Sequence, residues 1–556
     1  MGRICFHAAV AAIAALSFQA SAIASPNYAP GRIVIQLVDS ADDLPALTPE
    51  DGHEFPLAVR APQHRVMTSL LAVGATSVRP AFGQLSRPLL ASSLGLDRFY
   101  LVELDPELDT QQAVLQLQGL GDIQLAEPVA IGYAAAGPFD QSLPSDGTHA
   151  RTPASDTDDG RPNDSDYGLQ YAIENVGQDI PGDIFRPGGP GTPDADTDLV
   201  EAWQLHTCGP ETIIAIVDTG VSSSHPDLAP ARIDGFDYFG NDGDPDDSVI
   251  RSHGTHVAGI AAAIGNNDVG VIGAAHGASI MPLRALDALG AGDAFVATSC
   301  IVHAVENGAD VINLSLGFRA ESQLLHTAVR YAHASGVVLV AAAGNNPTRP
   351  IPVPASYAEV IAVGATNHFD EWANFSSQGP ELSITAPGYN IWTCQDTQFD
   401  PDGYDFDSGT SFSCALVSGI AALVTSANPE LSPSQVRSLL EATADDLGEP
   451  GRDDLFGAGR VNARSAIELA LDAVPCSRAD VSTTETDGVP DGAVNENDFI
   501  YFLDAWFRRT PAADIAGRAA DLPPDGRVTL MDFATYVSLW VGGCDEPAAP
   551  VALPAG

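Results

Sequence analysis

The chain has 556 residues, room for about three or four domains of ~150 residues each with a sizeable core. Its 73 acidic residues face 25 basic ones, every one of them arginine, giving a formal net charge of −48. A surface this negative argues against nucleic-acid and anionic-membrane partners, which need a basic face, and invites divalent cations.

Residues 1–24 read as a secretory signal peptide. Arg3 supplies the positive end, residues 8–16 the apolar stretch, and Ala20-Ser21-Ala22 or Ala22-Ile23-Ala24 a small-residue cleavage site. The apolar stretch is well short of the ~20 residues a membrane span needs, and no later run is long enough, so no membrane span is expected. The address implied is secreted or extracellular, with association at the cell surface a further option. Loss of the signal removes Cys5 and leaves Cys208, Cys300, Cys394, Cys414, Cys476 and Cys544. An even number in an exported chain permits disulfide bonds, but spacing does not fix their pairing.

Residues 28–37 alternate like a strand, residues 98–104 form a second strand, residues 111–117 a helix and residues 123–131 a third strand. Together they make a small α+β unit within residues 26–135. Residues 136–166 are dense in Asp, Gly, Pro and Ser with almost no apolar periodicity, so they read as an exposed linker open to cleavage; its start falls at about Ala134.

From residue 167 to 475 apolar runs alternate with helical patterns: strands at 213–217, 311–316, 337–343 and 360–363, helices at 255–264 and 321–335. That rhythm predicts an α/β fold, a parallel sheet with helices on both faces, whose chemistry lies beyond the carboxyl ends of the strands. Ser432-Pro433-Ser434-Gln435 is a capping box with proline at the first helical position.

Four features in this stretch carry chemistry. Asp218 ends the strand at 213–217, and His253 opens His253-Gly254-Thr255-His256-Val257-Ala258-Gly259. Asn345 ends Ala341-Ala342-Ala343-Gly344-Asn345, and Ser411 sits in Gly409-Thr410-Ser411-Phe412-Ser413-Cys414 ahead of a long apolar helix. A serine at a helix start meets unpaired backbone N–H groups and a positive dipole end, which suit a developing oxyanion. Taken singly, each is more often a turn, a loop or a cap. Their order, Asp then His then Ser, is that of subtilisin.

On these residues the chain resembles a subtilisin-like serine protease (subtilase). The resemblance implies a secreted serine endopeptidase that hydrolyses peptide bonds through an Asp218-His253-Ser411 triad and an acyl-enzyme, with Asn345 as oxyanion-hole side chain. It makes residues 26–135 a pro-domain, at once folding chaperone and inhibitor, removed by autoprocessing of the precursor zymogen. Ser315, Leu316 and Gly317 match the family strand that pairs with extended protein or peptide substrates. Ala342 and Gly344 line the specificity pocket beside it, where no acidic side chain selects Lys or Arg and an apolar preference is expected. Phe318 stands where the family often has a second glycine, narrowing one edge of the cleft, and Ala415 and Leu416 replace a common Pro-His. His256, like His225, His276 and His303, is read as a packed structural residue. Calcium is the implied structural cofactor, with Asp227 and Asn267 as ligands, and the acidic run 242–247 is a second candidate.

Residues 476–545 repeat with a period of 34: Asp480, Asp487, Asp491, Asp498 and Trp506 recur as Asp514, Asp521, Asp525, Asp532 and Trp540. An acidic loop followed by an aromatic-bearing helix resembles a dockerin-like tandem of EF-hand calcium loops. The resemblance implies Asp487, Asp491, Asn495 and Asp498, then Asp521, Asp525, Thr529 and Asp532, as calcium ligands, and docking to a cell-surface or complex partner. A bridge between Cys476 and Cys544 would staple this unit. Residues 546–556 form a tail. The rival reading is a catalytically idle, subtilase-shaped surface or binding protein, against which the four intact chemical residues speak.

Overall fold

A computed structural model of the chain describes residues 27–38, 65–135, 161–181, 188–247, 252–398 and 402–472. The expected signal peptide, most of the linker and the whole 476–545 repeat lie outside the described residues.

The larger body is built on a seven-stranded, wholly parallel sheet. Its strands run in the order Ile384–Pro387, Val360–Thr366, Val338–Ala342, Val311–Leu314, Ile213–Asp218, Ser279–Arg284 and Phe236–Asp237. Short Val/Ile/Ala runs such as IIAIV and VIAVGA suit strands buried on both faces. One face carries helices His253–Ala262 and Thr410–Ala427, the other Ala294–Glu306 and Gln323–Ala334, each with its own core cluster. This is the α/β architecture the alternating runs predict. Ser432 caps helix Pro433–Ala442 through the expected capping box with Gln435. The expectation that no run beyond the signal is long enough for a membrane span needs correction, since the helix Thr410–Ala427 is apolar and long enough by length and composition. In this fold every residue from Thr410 to Val424 is instead buried in the core of the domain.

A smaller antiparallel sheet, in the order Ile123–Ala134, Tyr28–Leu37, Phe99–Leu104 and Ala75–Pro80, packs against helices Arg65–Ala72 and Thr110–Leu117 around its own core. Helices 65–72 and 88–94 and strand 75–80 add to the elements read from sequence.

Two further expectations need correction. The strand foreseen at 311–316 ends at Leu314, and Leu316–Phe318 turns away to pair with the smaller sheet. The strand foreseen at 123–131 runs on to Ala134, so Ala134 begins no exposed linker. Its last residues pair with two strands of the larger body and so gain order from tertiary contacts, which periodicity does not report. At the other end of that segment, Asp164 and Asp166 are buried rather than exposed.

Candidate active site

The sheet brings the four chemical residues together. Asp218 is the last residue of the central strand Ile213–Asp218, and His253 is the first of the helix His253–Ala262. They meet because Gly254 has no side chain: a Cβ there would lie 2.0 Å from Gly220 O and 3.0 Å from Asp218 Cβ. The Gly254 N–H also donates to Thr219 Oγ1 at 2.9 Å, which fixes the helix start against the strand end.

His253 Nδ1 lies 2.8 Å from Asp218 Oδ1 and 2.9 Å from Oδ2, and His253 Nε2 lies 3.0 Å from Ser411 Oγ. Asp218 Oδ1 also accepts from the Thr219 N–H at 2.7 Å. All three side chains are buried. Ser411 belongs to the first turn of helix Thr410–Ala427 rather than to a turn before it. Its backbone is held by Ser315, whose hydroxyl donates to Ser411 O at 3.0 Å. The Phe412 ring packs at 5.9 Å from the His253 ring and 6.0 Å from that of His256.

Asn345 follows the strand Val338–Ala342. Its Oδ1 accepts from Thr410 N at 2.9 Å and from Thr410 Oγ1 at 3.0 Å, which aims its Nδ2 outward. That Nδ2 donates to the carbonyl oxygen of Ala135, and the same oxygen stands 2.6 Å from Ser411 Oγ. The peptide carbonyl of Ala135 is thus presented at once to a hydroxyl, an imidazole behind it and an amide donor. This arrangement suits nucleophilic acyl transfer.

The chain leading to Ala135 lies between two cleft strands. On one side Leu316, Gly317 and Phe318 pair antiparallel with Ala134, Tyr133 and Gly132. On the other, Ala291, Gly292 and Asp293 pair with Tyr133, Gly132 and Ile131. The Ala135 N–H donates to Ser315 O at 2.8 Å. Ala342 ends the strand that leads to Asn345, and Gly344 N donates at 3.1 Å to Oγ1 of Thr410, the residue before Ser411. Sequence reasoning missed Thr410, the strand Ala291–Asp293 and Ala135 itself. Thr410 was legible as the hydroxyl residue directly before Ser411 in Gly409-Thr410-Ser411; the other two had no chemical signature.

The calcium candidates Asp227 and Asn267 also meet. Asn267 Nδ2 donates to Asp227 Oδ1 at 2.9 Å, while Asp227 Oδ2 accepts from Val271 N and Tyr404 OH. Asp164, hidden in the supposed linker, joins them by accepting from Asn266 N at 2.9 Å. Burial, with a smaller push from the Asp227 charge, raises the Asp164 carboxyl to about 6. In the run 242–247, Asp246 pairs loosely with Arg232 and Asp242 Oδ1 accepts from Asp244 N. Asp247 is buried, accepts from Thr255 N and Oγ1, and is raised to about 7, chiefly by burial.

His256 lies behind the catalytic cluster with Nδ1 3.5 Å from Asp407 Oδ2. Burial opposes its charging, but the Asp407 carboxylate outweighs that and raises its pKa. His225 is buried and bonded to Gly403 O, His276 packs edge-on to Trp203, and His303 contacts Tyr238 OH. Among the described residues, Cys208, Cys300, Cys394 and Cys414 are buried free thiols with no disulfide between them. Burial pushes Cys414 up to about 12 and Cys208 to about 11, which makes both poor nucleophiles. Cys476 and Cys544 lie outside the described residues.

The profile of the Subtilase family matches residues 209–459. A thermophilic serine proteinase of Bacillus sp. (strain AK1) is 39% identical over 307 residues, 55% of this chain and 69% of that protein. Thermitase of Thermoactinomyces vulgaris is 40% identical over 268 residues, 48% of this chain and 92% of that protein. Among solved structures, fervidolysin from Fervidobacterium pennivorans, a keratinolytic enzyme related to subtilisin, superposes with a TM-score of 0.58 at 24% identity. That superposition covers 79% of this chain and 61% of fervidolysin, and it speaks for the fold alone.

Proposed function

The chain belongs to the subtilase family of serine endopeptidases, and from that premise we propose that it is made as a precursor that cuts itself after Ala135. The observation that carries this is the Ala135 carbonyl, held between Ser411 Oγ and Asn345 Nδ2. His253 takes the Ser411 proton through Nε2 while Asp218 fixes the ring tautomer and stabilises the imidazolium. Ser411 Oγ adds to the carbonyl, and Asn345 Nδ2 with the Ser411 backbone N–H donates to the oxyanion. The amine of residue 136 leaves with the proton from His253, and water then frees the acyl-enzyme by the same route in reverse.

Residues 26–135 act, in this reading, as chaperone and inhibitor, and Ser315, Leu316, Gly317, Ala342 and Gly344 bind the substrate backbone. Apolar residues are preferred at the position of Ala135. The signal motif at 1–24 supports export. Asp164, Asp227 and Asn267 supply hard oxygen donors, and the buried carboxylates of Asp164 and Asp227 both bond to the loop 265–271, which fits a calcium ion that would tie the segment before residue 167 to that loop. Chelation is then expected to lower the melting temperature while leaving the Ser411 chemistry intact. The repeat at 476–545 is proposed to bind calcium and dock a partner.

The test compares the purified precursor with Ser411→Ala. The native chain is expected to yield a fragment ending at Ala135, to react with a fluorophosphonate probe and to digest an unfolded protein. Ser411→Ala should stay full length and lose about 10⁶-fold in kcat, the loss known for subtilisin. Equal processing of both chains in a host without other proteases would sink the proposal.

A further inference from the structure

Gly132 is the one glycine in the strand Ile123–Ala134, and its backbone does not require glycine, since it is absent from the positive-φ positions. The reason for it is steric. A Cβ at Gly132 would lie 2.4 Å from Phe318 Cδ1, 2.5 Å from Phe318 Cε1 and 2.8 Å from Gly317 O. Glycine inside a strand often marks such a close approach. Counting back from Ala135 as the first residue before the reacting carbonyl, Gly132 is the fourth, and it pairs directly with Phe318.

The ring cannot swing aside cheaply. With the strand Ile123–Ala134 seated on it Phe318 is 1% exposed, and it shares a core cluster with Leu316, Ile351 and Val353, which belong to the larger body itself. Its backbone exchanges two hydrogen bonds with Val353, at 2.7 and 3.1 Å. A ring so packed moves only by displacing close-packed neighbours. The other positions are less confined: Tyr133 and Ala134 are only half-buried, while Ala135 is buried among apolar residues.

We propose that Phe318 is a specificity-determining residue that fills the space of the fourth substrate side chain, so that this protease selects extended peptides with glycine at that position and small apolar residues at the first. The proposal rests on the Ala135 carbonyl being the reacting one, as argued above.

The test uses the mature enzyme and two internally quenched peptides. One carries the chain's own residues 131–138, Ile-Gly-Tyr-Ala-Ala-Ala-Gly-Pro, and the other has Phe in place of the Gly. The wild type is expected to favour the glycine peptide at least 10-fold in kcat/KM, and Phe318→Gly to bring that ratio below about twofold. Phe318→Leu, which keeps an apolar side chain in the core, should fall between. A wild-type ratio within twofold, or a ratio unchanged in folded Phe318→Gly, overturns the proposal. So does cleavage of the glycine peptide at another bond by mass. Binding of the same peptides to Ser411→Ala, cut between residues 136 and 160 by an added protease and freed of its N-terminal unit so that the cleft is empty, followed by fluorescence anisotropy, reads the preference without chemistry. Equal affinities there refute the role of Phe318, whereas a retained preference with no hydrolysis by the wild type refutes the catalytic reading alone.

Discussion

The N-terminal unit touches the catalytic domain in two ways that differ in chemistry. Its last four residues lie in the cleft as a strand, held by backbone pairing and by the groups around the Ala135 carbonyl. Its sheet face makes charged contacts instead. Glu127 accepts from Ser322 Oγ, Gln323 N and Leu324 N at 2.9, 3.0 and 3.1 Å, and so sits at the start of helix Gln323–Ala334. Arg32 pairs with Asp293, itself the cap of the next helix, and both Arg32 and Arg79 lie over the Phe295 ring. The first contact ends at the peptide bond proposed above as the one that is cut. The second does not, so a cut after Ala135 removes the covalent link and leaves the docking face whole. A unit held in this way can be both the first substrate and a lasting inhibitor.

The largest effect that separates the two contacts is expected at Asn345. Asn345→Ala removes a donor aimed at the Ala135 oxygen and should lower kcat by about 100- to 1,000-fold, as loss of such a donor does in subtilisin. Binding of the released N-terminal unit should change far less, because its docking face is untouched. Single-turnover cleavage and inhibition assays on one preparation read both values, and an equal loss in the two would merge the contacts.

Glu127→Ala breaks the comparison from the other side. A half-buried carboxylate that accepts three hydrogen bonds at a helix start contributes roughly 1.5–3 kcal/mol, about 10- to 100-fold in affinity. The inhibition constant of the N-terminal unit should rise by that factor, while single-turnover cleavage after Ala135 in the Glu127→Ala precursor, where the unit is still tethered, should keep the wild-type rate. A fall in that rate would mean that the docking face also positions the Ala135 carbonyl, and the two contacts would not be separable.

Much of this was legible in the sequence because it is repetitive or chemically marked. The runs around 213, 338 and 360 are short, apolar and β-branched, so the parallel sheet followed from them. Asp218, His253, Asn345 and Ser411 stand in long motifs, and the structure links Asp218, His253 and Ser411 by hydrogen bonds and sets Asn345 on the carbonyl oxygen that Ser411 also meets. What escaped had no local signal. Residues 132–134 are strand only because Leu316–Phe318 and Ala291–Asp293 flank them. Asp164 looked like one more linker acid until the loop at 265–271 folded over it. Phe318 was visible as a departure from glycine, but its consequence needed Gly132 opposite it.

The smallest expected effect, and the one that most sharpens the contrast, comes from salt. Two opposing terms act on the docking face. The chain carries a net charge of −48, so the two bodies repel, and salt screens that repulsion over a Debye length of ~10 Å at 0.1 M. Arg32 and Asp293 attract, and salt weakens that pair as well. A partly exposed pair contributes about 0.2–1 kcal/mol, at most roughly fivefold in affinity. The diffuse repulsion gathers many carboxylates and should win, so the wild-type N-terminal unit should bind more tightly as sodium chloride rises from low to molar. Arg32→Ala removes an attraction that is strongest at low salt. Its inhibition constant should therefore exceed the wild type's by a few-fold at low salt and converge with it at molar salt. The cleft contact, made by backbone groups and an alanine, should add no salt dependence, and KM for an uncharged peptide matching residues 131–135 should stay flat. A wild-type affinity that falls with salt would give the decision to the ion pair, and a KM that moves in parallel would remove the distinction between the two contacts.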